Sequence, residues 1–169
     1  MKNAMVFCFT VFIMVPMTLS AASKEFTAVS PFDLARYLGT WYELVRMPAS
    51  FENGLTNVTA TYSLKNNGMV KVENAGMKNG KKKTAIGKAK FAHDTNTGYL
   101  RVSFFGPFYA DYKVIVLDSA YRYAMVASSL KYLWILCREP KLDDAILHDL
   151  VDKAKNLGYD VAKLYYTPQ

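Results

Sequence analysis

Thr56-Asn57-Val58-Thr59-Ala60-Thr61-Tyr62-Ser63-Leu64 runs through Asn66-Asn67-Gly68 into Met69-Val70-Lys71-Val72-Glu73-Asn74-Ala75. In the first segment Val58, Ala60, Tyr62 and Leu64 fall on one face, and Thr59, Thr61 and Ser63 on the other. Such a period of two marks a strand with one apolar side. Asn-Asn-Gly tolerates the backbone of a tight turn. The pair therefore reads as a hairpin, and the same grammar extends in both directions. Upstream, Gly39–Met47 is a strand followed by a loop over Pro48–Leu55 that contains Asn53-Gly54. Downstream, Lys78-Asn79-Gly80-Lys81 turns into Lys83–Phe91, and Thr95–Gly98 turns into Tyr99–Phe105. Gly106-Pro107 then precedes Tyr109–Leu117, Asp118–Arg122 precedes Tyr123–Ser128, and Ser129–Lys131 precedes Tyr132–Arg138. Eight short strands with no helix between them predict an all-β fold: an eight-stranded antiparallel up-and-down β-barrel, whose closure removes its edges.

Periodicity changes after Pro140. Asp143 is placed to cap a helix, with Leu142 and Leu147 spaced as a hydrophobic staple. Ile146, Leu150, Ala154 and Leu157 make one apolar stripe, flanked by Leu147 and Val151, and Gly158 is a C-terminal stop. This C-terminal helix is expected to pack outside the barrel, followed by a last strand over Val161–Tyr166. Pro31–Leu38 reads as a helical turn whose Phe32, Tyr37 or Leu38 plugs one end. If loops alternate between the two ends, residues 47–55, 78–81, 105–109 and 129–131 collect at the other. That set contains Phe51, Phe105, Phe108 and Leu130, an apolar rim around a mouth.

The chain has 169 residues, 51% of them apolar and 14% aromatic, with a formal net charge of +7. Disorder, coiled coil and low complexity are excluded. With two Cys and two His, a structural zinc site is not expected, nor is any other metal or cofactor. Met1-Lys2-Asn3, the apolar run Ala4–Val15 and the small residues Ser20 and Ala22 read as a secretory signal peptide over 1–22. The remaining domain is 23–169. Cys8 leaves with the leader, and Cys137 is then a lone buried thiol in Tyr132–Cys137. No Cys follows the cleavage site to carry a lipid. The expectation is an exported, soluble protein of the periplasm or exterior, with outer-membrane association left open.

Three motifs carry a family resemblance. Gly39-Thr40-Trp41-Tyr42-Glu43 opens the first strand; Asp111-Tyr112 through Asp118 and Ala120-Tyr121-Arg122-Tyr123 bridges the sixth and seventh; Leu133-Trp134-Ile135-Leu136-Cys137-Arg138 closes the eighth. Together they resemble the lipocalin family over about residues 31 to 168. The resemblance is closest to its bacterial subgroup of Blc-like outer-membrane lipoproteins, related to apolipoprotein D. It implies that Gly39, Trp41, Asp111, Tyr112 and Arg138 are structural, with Arg138 lying over Trp41 at the closed end. It also implies a ligand with an acyl chain, a lysophospholipid or fatty acid, bound, stored or transported in the barrel in support of membrane maintenance.

Alternation places Val58, Ala60, Tyr62, Val72, Ala89, Val102, Phe104, Tyr112, Val114, Val116 and Met125 inside, along with Val70 and Phe91. Each buried methylene is worth on the order of 0.8 kcal/mol, so an apolar tube selects chains without a polar code. Arg46, Lys78, Lys81, Lys82 and Lys131 near the mouth are candidates to attract an anionic head. Peripheral membrane contact and a homodimer through the rim are the other partners considered; the rim as an interaction module, with lipid binding incidental, is the alternative function. No nucleic-acid partner is expected, because the lysines are spread over several turns. No enzyme is expected either. His93-Asp94 lies at a strand end, His148 lies on the helix, Cys137 has neither beside it in sequence, and Glu43 has no evident acid–base partner.

Overall fold

A computed structural model describes residues 26–169. The signal-peptide expectation and Cys8 lie outside the described residues. The chain opens with a single helical turn, α1 (Leu34–Tyr37), capped by Asp33, whose carboxylate accepts from the Ala35 amide at 2.8 Å. Eight strands follow: β1 (Gly39–Arg46), β2 (Thr56–Leu64), β3 (Val70–Lys78), β4 (Lys81–Phe91), β5 (Tyr99–Ser103), β6 (Ala110–Leu117), β7 (Tyr123–Ser129) and β8 (Tyr132–Cys137). Each pairs antiparallel with the next; β8 pairs with β1, and β1 pairs with β2, so the sheet closes into a barrel. A 3₁₀ turn, Ser50–Glu52, sits in the long β1–β2 loop.

Helix α2 (Asp144–Asn156) follows β8. Asp143 accepts from the amides of Ala145 and Ile146 at 2.9 and 3.2 Å, a cap worth about 1 kcal/mol. Gly158, at φ +94, ends the helix in the left-handed conformation that glycine alone adopts without strain. The expected final strand is shorter than the sequence suggests. Val161–Lys163 is a 3₁₀ turn, and only β9 (Tyr165–Tyr166) is strand. It pairs with the far half of β1, where β1 has already parted from β2.

Two apolar clusters divide the molecule. One fills the barrel's closed end, with Phe32, Tyr37, Trp41, Val70, Val114, Val126 and Leu136 buried together. The other lies between the outer wall and α2: Leu44, Val45, Met125, Leu133 and Ile135 meet Leu150 and Ala154, with Ile146, Leu147, Val151 and Leu157 alongside. The helix stripe thus covers β1, β7 and β8 from outside.

Two bulges set which residues belong to which cluster. In β1 the register shifts between Glu43 and Val45, so Leu44 and Val45 both face α2 and Arg46 turns inward. In β6 it shifts between Val114 and Val116, and Ile115 and Val116 both join the outer cluster. An extra residue reverses all later alternation in its strand.

A candidate ligand site inside the barrel

The closed end is built around Trp41 and Arg138. Trp41 is fully buried, and its indole donates to the Tyr37 carbonyl at 2.8 Å. The Arg138 guanidinium lies 3.9 Å from the Trp41 ring centre. It donates to the carbonyls of Thr40, Arg36, Leu38 and Tyr121 at 2.9, 2.7, 2.9 and 3.3 Å. Gly39, at φ +93, leaves room for it: a Cβ there would sit 3.3 Å from an Arg138 nitrogen. Tyr121 is held at φ +61, a strained value for an aromatic residue. Contacts on three sides keep it there: its carbonyl takes Arg138, its hydroxyl accepts from the Asp33 amide at 2.8 Å, and Arg36 stacks 4.1 Å over its ring.

Above this seal, Tyr112 places its hydroxyl 2.7 Å from those of both Tyr37 and Tyr62. Burial pushes all three phenols well above their ordinary range, so they stay neutral. Asp111, one residue before, faces outward and pairs with Arg101 at 3.4 Å.

Of the expected inner residues, Ala60, Tyr62, Val72, Ala89, Val102, Phe104, Tyr112 and Val114 pack in the interior cluster, as do Val70 and Phe91. Val58 is buried but belongs to neither cluster; one of its methyls lies 3.2 Å from where a Cβ on Gly76 would be. Val116 and Met125 are corrections. They pair with each other across β6 and β7 and pack against α2, outside the barrel. The β6 bulge moved Val116. Met125 was misread because Ala124-Met125-Val126-Ala127 is apolar throughout and has no polar face to fix its parity.

Inner side chains higher up are small. Asn74 stands between Ala60 and Ala85 in register, and Gly87 lies beyond them, under the Phe104 ring. A Cβ on Gly87 would approach that ring to 2.9 Å. Ala60, Val102, Phe104, Tyr112 and Trp134 are only partly buried, whereas Trp41, Val114 and Val126 at the closed end are wholly so. The Asn74 side-chain oxygen is buried with no hydrogen-bond partner among the described residues.

Near the mouth the interior becomes ionic. The Arg46 guanidinium lies 3.4 Å from Glu43 and 3.3 Å from Glu52, all three groups nearly inaccessible. Arg46 also donates to the Glu52 carbonyl at 2.7 Å and lies 4.3 Å over the Tyr165 ring. The Trp134 indole donates to Glu52 at 3.3 Å, and the Thr167 hydroxyl to Glu43 at 2.7 Å. Burial, reinforced by Glu52, pushes the Glu43 carboxyl up to about 8 against an ordinary 4.5. Burial raises Glu52 too. Arg46 is therefore not the free cation that the sequence suggests for an anionic head: the Glu43 and Glu52 side chains already engage it. Lys78 is likewise engaged, donating to the Asn53 carbonyl at 2.7 Å. Lys81, Lys82 and Lys131 are exposed.

Phe51, Phe105, Phe108 and Leu130 are all exposed at this end, Phe105 by 83% and Phe108 by 78%. Phe51 lies 6.3 Å from Tyr132, which stacks 6.0 Å from Trp134, an aromatic file leading from the rim to the ion pairs. His93 is exposed against Tyr99, and His148 pairs with Asp152 at 3.4 Å on the outer helix. Among the described residues no cluster of metal-ligating groups occurs. No described helix is long and apolar enough to cross a membrane. Sequence reasoning missed Glu52, Trp134, Thr167 and Asn74. Trp134 pairs with Val126 in β7, whose own parity no polar neighbour fixes; Glu52 sits in an irregular loop that carries no periodicity.

A closed eight-stranded barrel with one sealed end, an apolar interior and an aromatic mouth defines a cup-shaped protein that binds small hydrophobic ligands. The chain belongs to the lipocalin family: a family model described as "Lipocalin-like domain" matches residues 32–169. It is 43% identical over 161 residues to "Outer membrane lipoprotein Blc" of Citrobacter freundii, covering 94% of this chain and 91% of that one. The protein of the same name from Vibrio cholerae is 45% identical over 83% of this chain and 85% of its own. Mouse apolipoprotein D is 34% identical, covering 82% and 77%. Among solved structures, insecticyanin from Manduca sexta superposes with a TM-score of 0.71 over 86% of this chain and 85% of its own; at 22% identity it speaks to the fold alone. Lipocalins are binding and transport proteins, and none of the relatives' names denotes a catalytic activity.

Proposed function

We propose that the barrel takes up one amphiphile with a single acyl chain, a lysophospholipid or a fatty acid, and carries it between membrane surfaces in the service of membrane maintenance. The observation that carries this reading is the change in the inner wall with height. Below, large side chains fill the barrel; above, Ala85 and Gly87, both accessible, leave open wall beneath an aromatic mouth. A chain gains about 0.8 kcal/mol per methylene entering such a space. The polar head then remains near Glu43, Arg46 and Glu52, with the Phe51, Tyr132 and Trp134 file along its path. Relatives named as outer membrane lipoproteins support a place in the cell envelope, with the chain processed after Ala22.

The test is native mass spectrometry of the protein as exported, with titration of an acyl-chain fluorophore. We expect a polypeptide beginning at Ser23 and one bound lipid. Val102→Trp should lower fluorophore affinity at least about tenfold while circular dichroism keeps the barrel. Unchanged affinity in that folded variant would sink the reading. Val114 is the poorer probe, since it is wholly buried and a Trp there would strain the core. A second reading, a homodimer through the rim, has the exposure of Phe105 and Phe108 in its favour. It requires that Phe105→Ser with Phe108→Ser abolish self-association in sedimentation and leave lipid affinity unaltered.

A further inference from the structure

The surplus positive charge is concentrated on one wall. From Val70 to Ser103 the chain carries eight basic residues against two acidic ones, whereas from Glu139 to Lys163, around α2, six acidic residues face four basic. On the outer face of β3–β5 the register sets Lys71 opposite Lys88 and Lys90 opposite Arg101. Like charges directly opposed destabilise a sheet, and here two such pairs lie in neighbouring rows. Glu73 relieves Lys71 at 2.8 Å and Asp111 relieves Arg101 at 3.4 Å. Among the described residues no carboxylate pairs with Lys88 or Lys90. Both ammonium groups lie over the ring of Tyr109 instead, at 5.8 and 5.0 Å. The Lys88 ammonium is also 3.5 Å from where a Cβ on Gly106 would stand, so it borders the Phe105–Phe108 loop. Uncompensated cations and the two most exposed phenylalanines of the described chain thus share one corner.

We propose that this corner is a docking surface for a bilayer containing anionic phospholipid. Phe105 and Phe108 enter the headgroup layer, and Lys88 and Lys90, with Lys71 and Arg101 behind them, meet lipid phosphates. A bare polycation suits any polyanion, and a bare apolar loop suits any apolar partner. Cations bordering protruding aromatic rings match a surface that is anionic on top and apolar a few ångströms below. Bilayer phosphates would also offset the repulsion that the two like-charged pairs impose on the isolated sheet. The inference deepens the lipid-carrier reading and rests on it for purpose: the same loop borders the mouth, so docking brings the mouth to the membrane that supplies or receives the ligand.

The experiment is vesicle co-flotation of the protein as isolated, its first residue fixed by mass, alongside solution titration of the acyl fluorophore. Vesicles of phosphatidylcholine alone are compared with an equal mixture of phosphatidylcholine and phosphatidylglycerol. We expect binding to the mixture only, weakening as salt shortens the screening length. Lys88→Glu with Lys90→Glu should lower vesicle affinity at least about tenfold, leaving the barrel's circular dichroism and its fluorophore affinity unchanged. Phe105→Ser with Phe108→Ser should also weaken vesicle binding. Lys153→Glu with Lys155→Glu, on α2, should not. Equal binding to both vesicle types, or indifference to the Lys88 and Lys90 reversals, overturns the proposal. Full vesicle binding by the phenylalanine variant also overturns it, marking a polycation without bilayer specificity. Self-association lost in that variant with vesicle binding intact would assign the loop to a second copy of the chain. Vesicle binding without fluorophore binding would retain the docking surface and remove the carrier reading; the converse result would do the opposite.

Discussion

Each end of the barrel holds an arginine, and the two are held by different chemistry. At the closed end Arg138 meets backbone carbonyls and the face of Trp41. Near the mouth Arg46 sits between Glu43 and Glu52. Carbonyl dipoles do not titrate, so the lower seal has the same strength at any pH the fold survives. Two carboxylates sharing one guanidinium in a buried space do titrate, and burial has already pushed Glu43 up to about 8. A permanent floor and an adjustable entrance follow from which acceptors each arginine was given.

The largest expected effect comes from Arg46→Met, which leaves two buried carboxylates facing each other. Above pH 8 it should cost about 3–5 kcal/mol of unfolding free energy, read from the urea midpoint. Near pH 5, where Glu43 holds its proton, the loss should be far smaller; equal losses at the two pH values would break the comparison. Next is Arg138→Ala, which strands four carbonyls and uncovers Trp41, at about 2–4 kcal/mol and with no difference between those pH values. Arg138→Lys should recover little of it, since one ammonium cannot span the same acceptors.

The smallest effect sharpens the mouth alone. A carboxyl that keeps its proton to about 8 when folded and to 4.5 when unfolded contributes stability that is fully present below pH 4.5. That contribution is lost as pH rises to 8 and stays lost above it. Glu52 shifts in the same direction and adds to the slope. The urea midpoint should fall across this window, and Glu43→Gln should flatten that fall. A urea midpoint independent of pH between 5 and 8 in the unaltered protein would contradict the assignment.

Much of the barrel could be read from residues alone because its strands are half-buried: polar neighbours flank each apolar residue in Val58–Tyr62, and the turns carry Asn-Gly. The floor, with Arg138 over Trp41, was expected only from the family resemblance, and the strained Tyr121 beneath Arg138 was not legible at all. Legibility failed where a physical signal was missing. β7 is apolar on both faces, which hid Met125. The bulge after Val114 is a backbone event that no side-chain pattern announces. The mouth was least readable, because Arg46 looked like a free cation until folding brought Glu43 from the same strand and Glu52 from an irregular loop against it. The last strand was overread, since Val161 and the aromatic pair Tyr165-Tyr166 suggest one strand, whereas Val161–Lys163 lies in the turn that brings β9 back to β1.

The ring made by β1 pairing with β8 has a temporal consequence. Residue Tyr42 finds its partner at Cys137, almost the whole barrel later in the chain. Hairpins can form locally as the polypeptide is made, but the circle cannot be joined until its last member exists. Loop closure over such a span precedes the contacts that reward it, which places this topology among slow folders. A growing chain of this protein therefore remains an open, unclosed ribbon until β8 has been made.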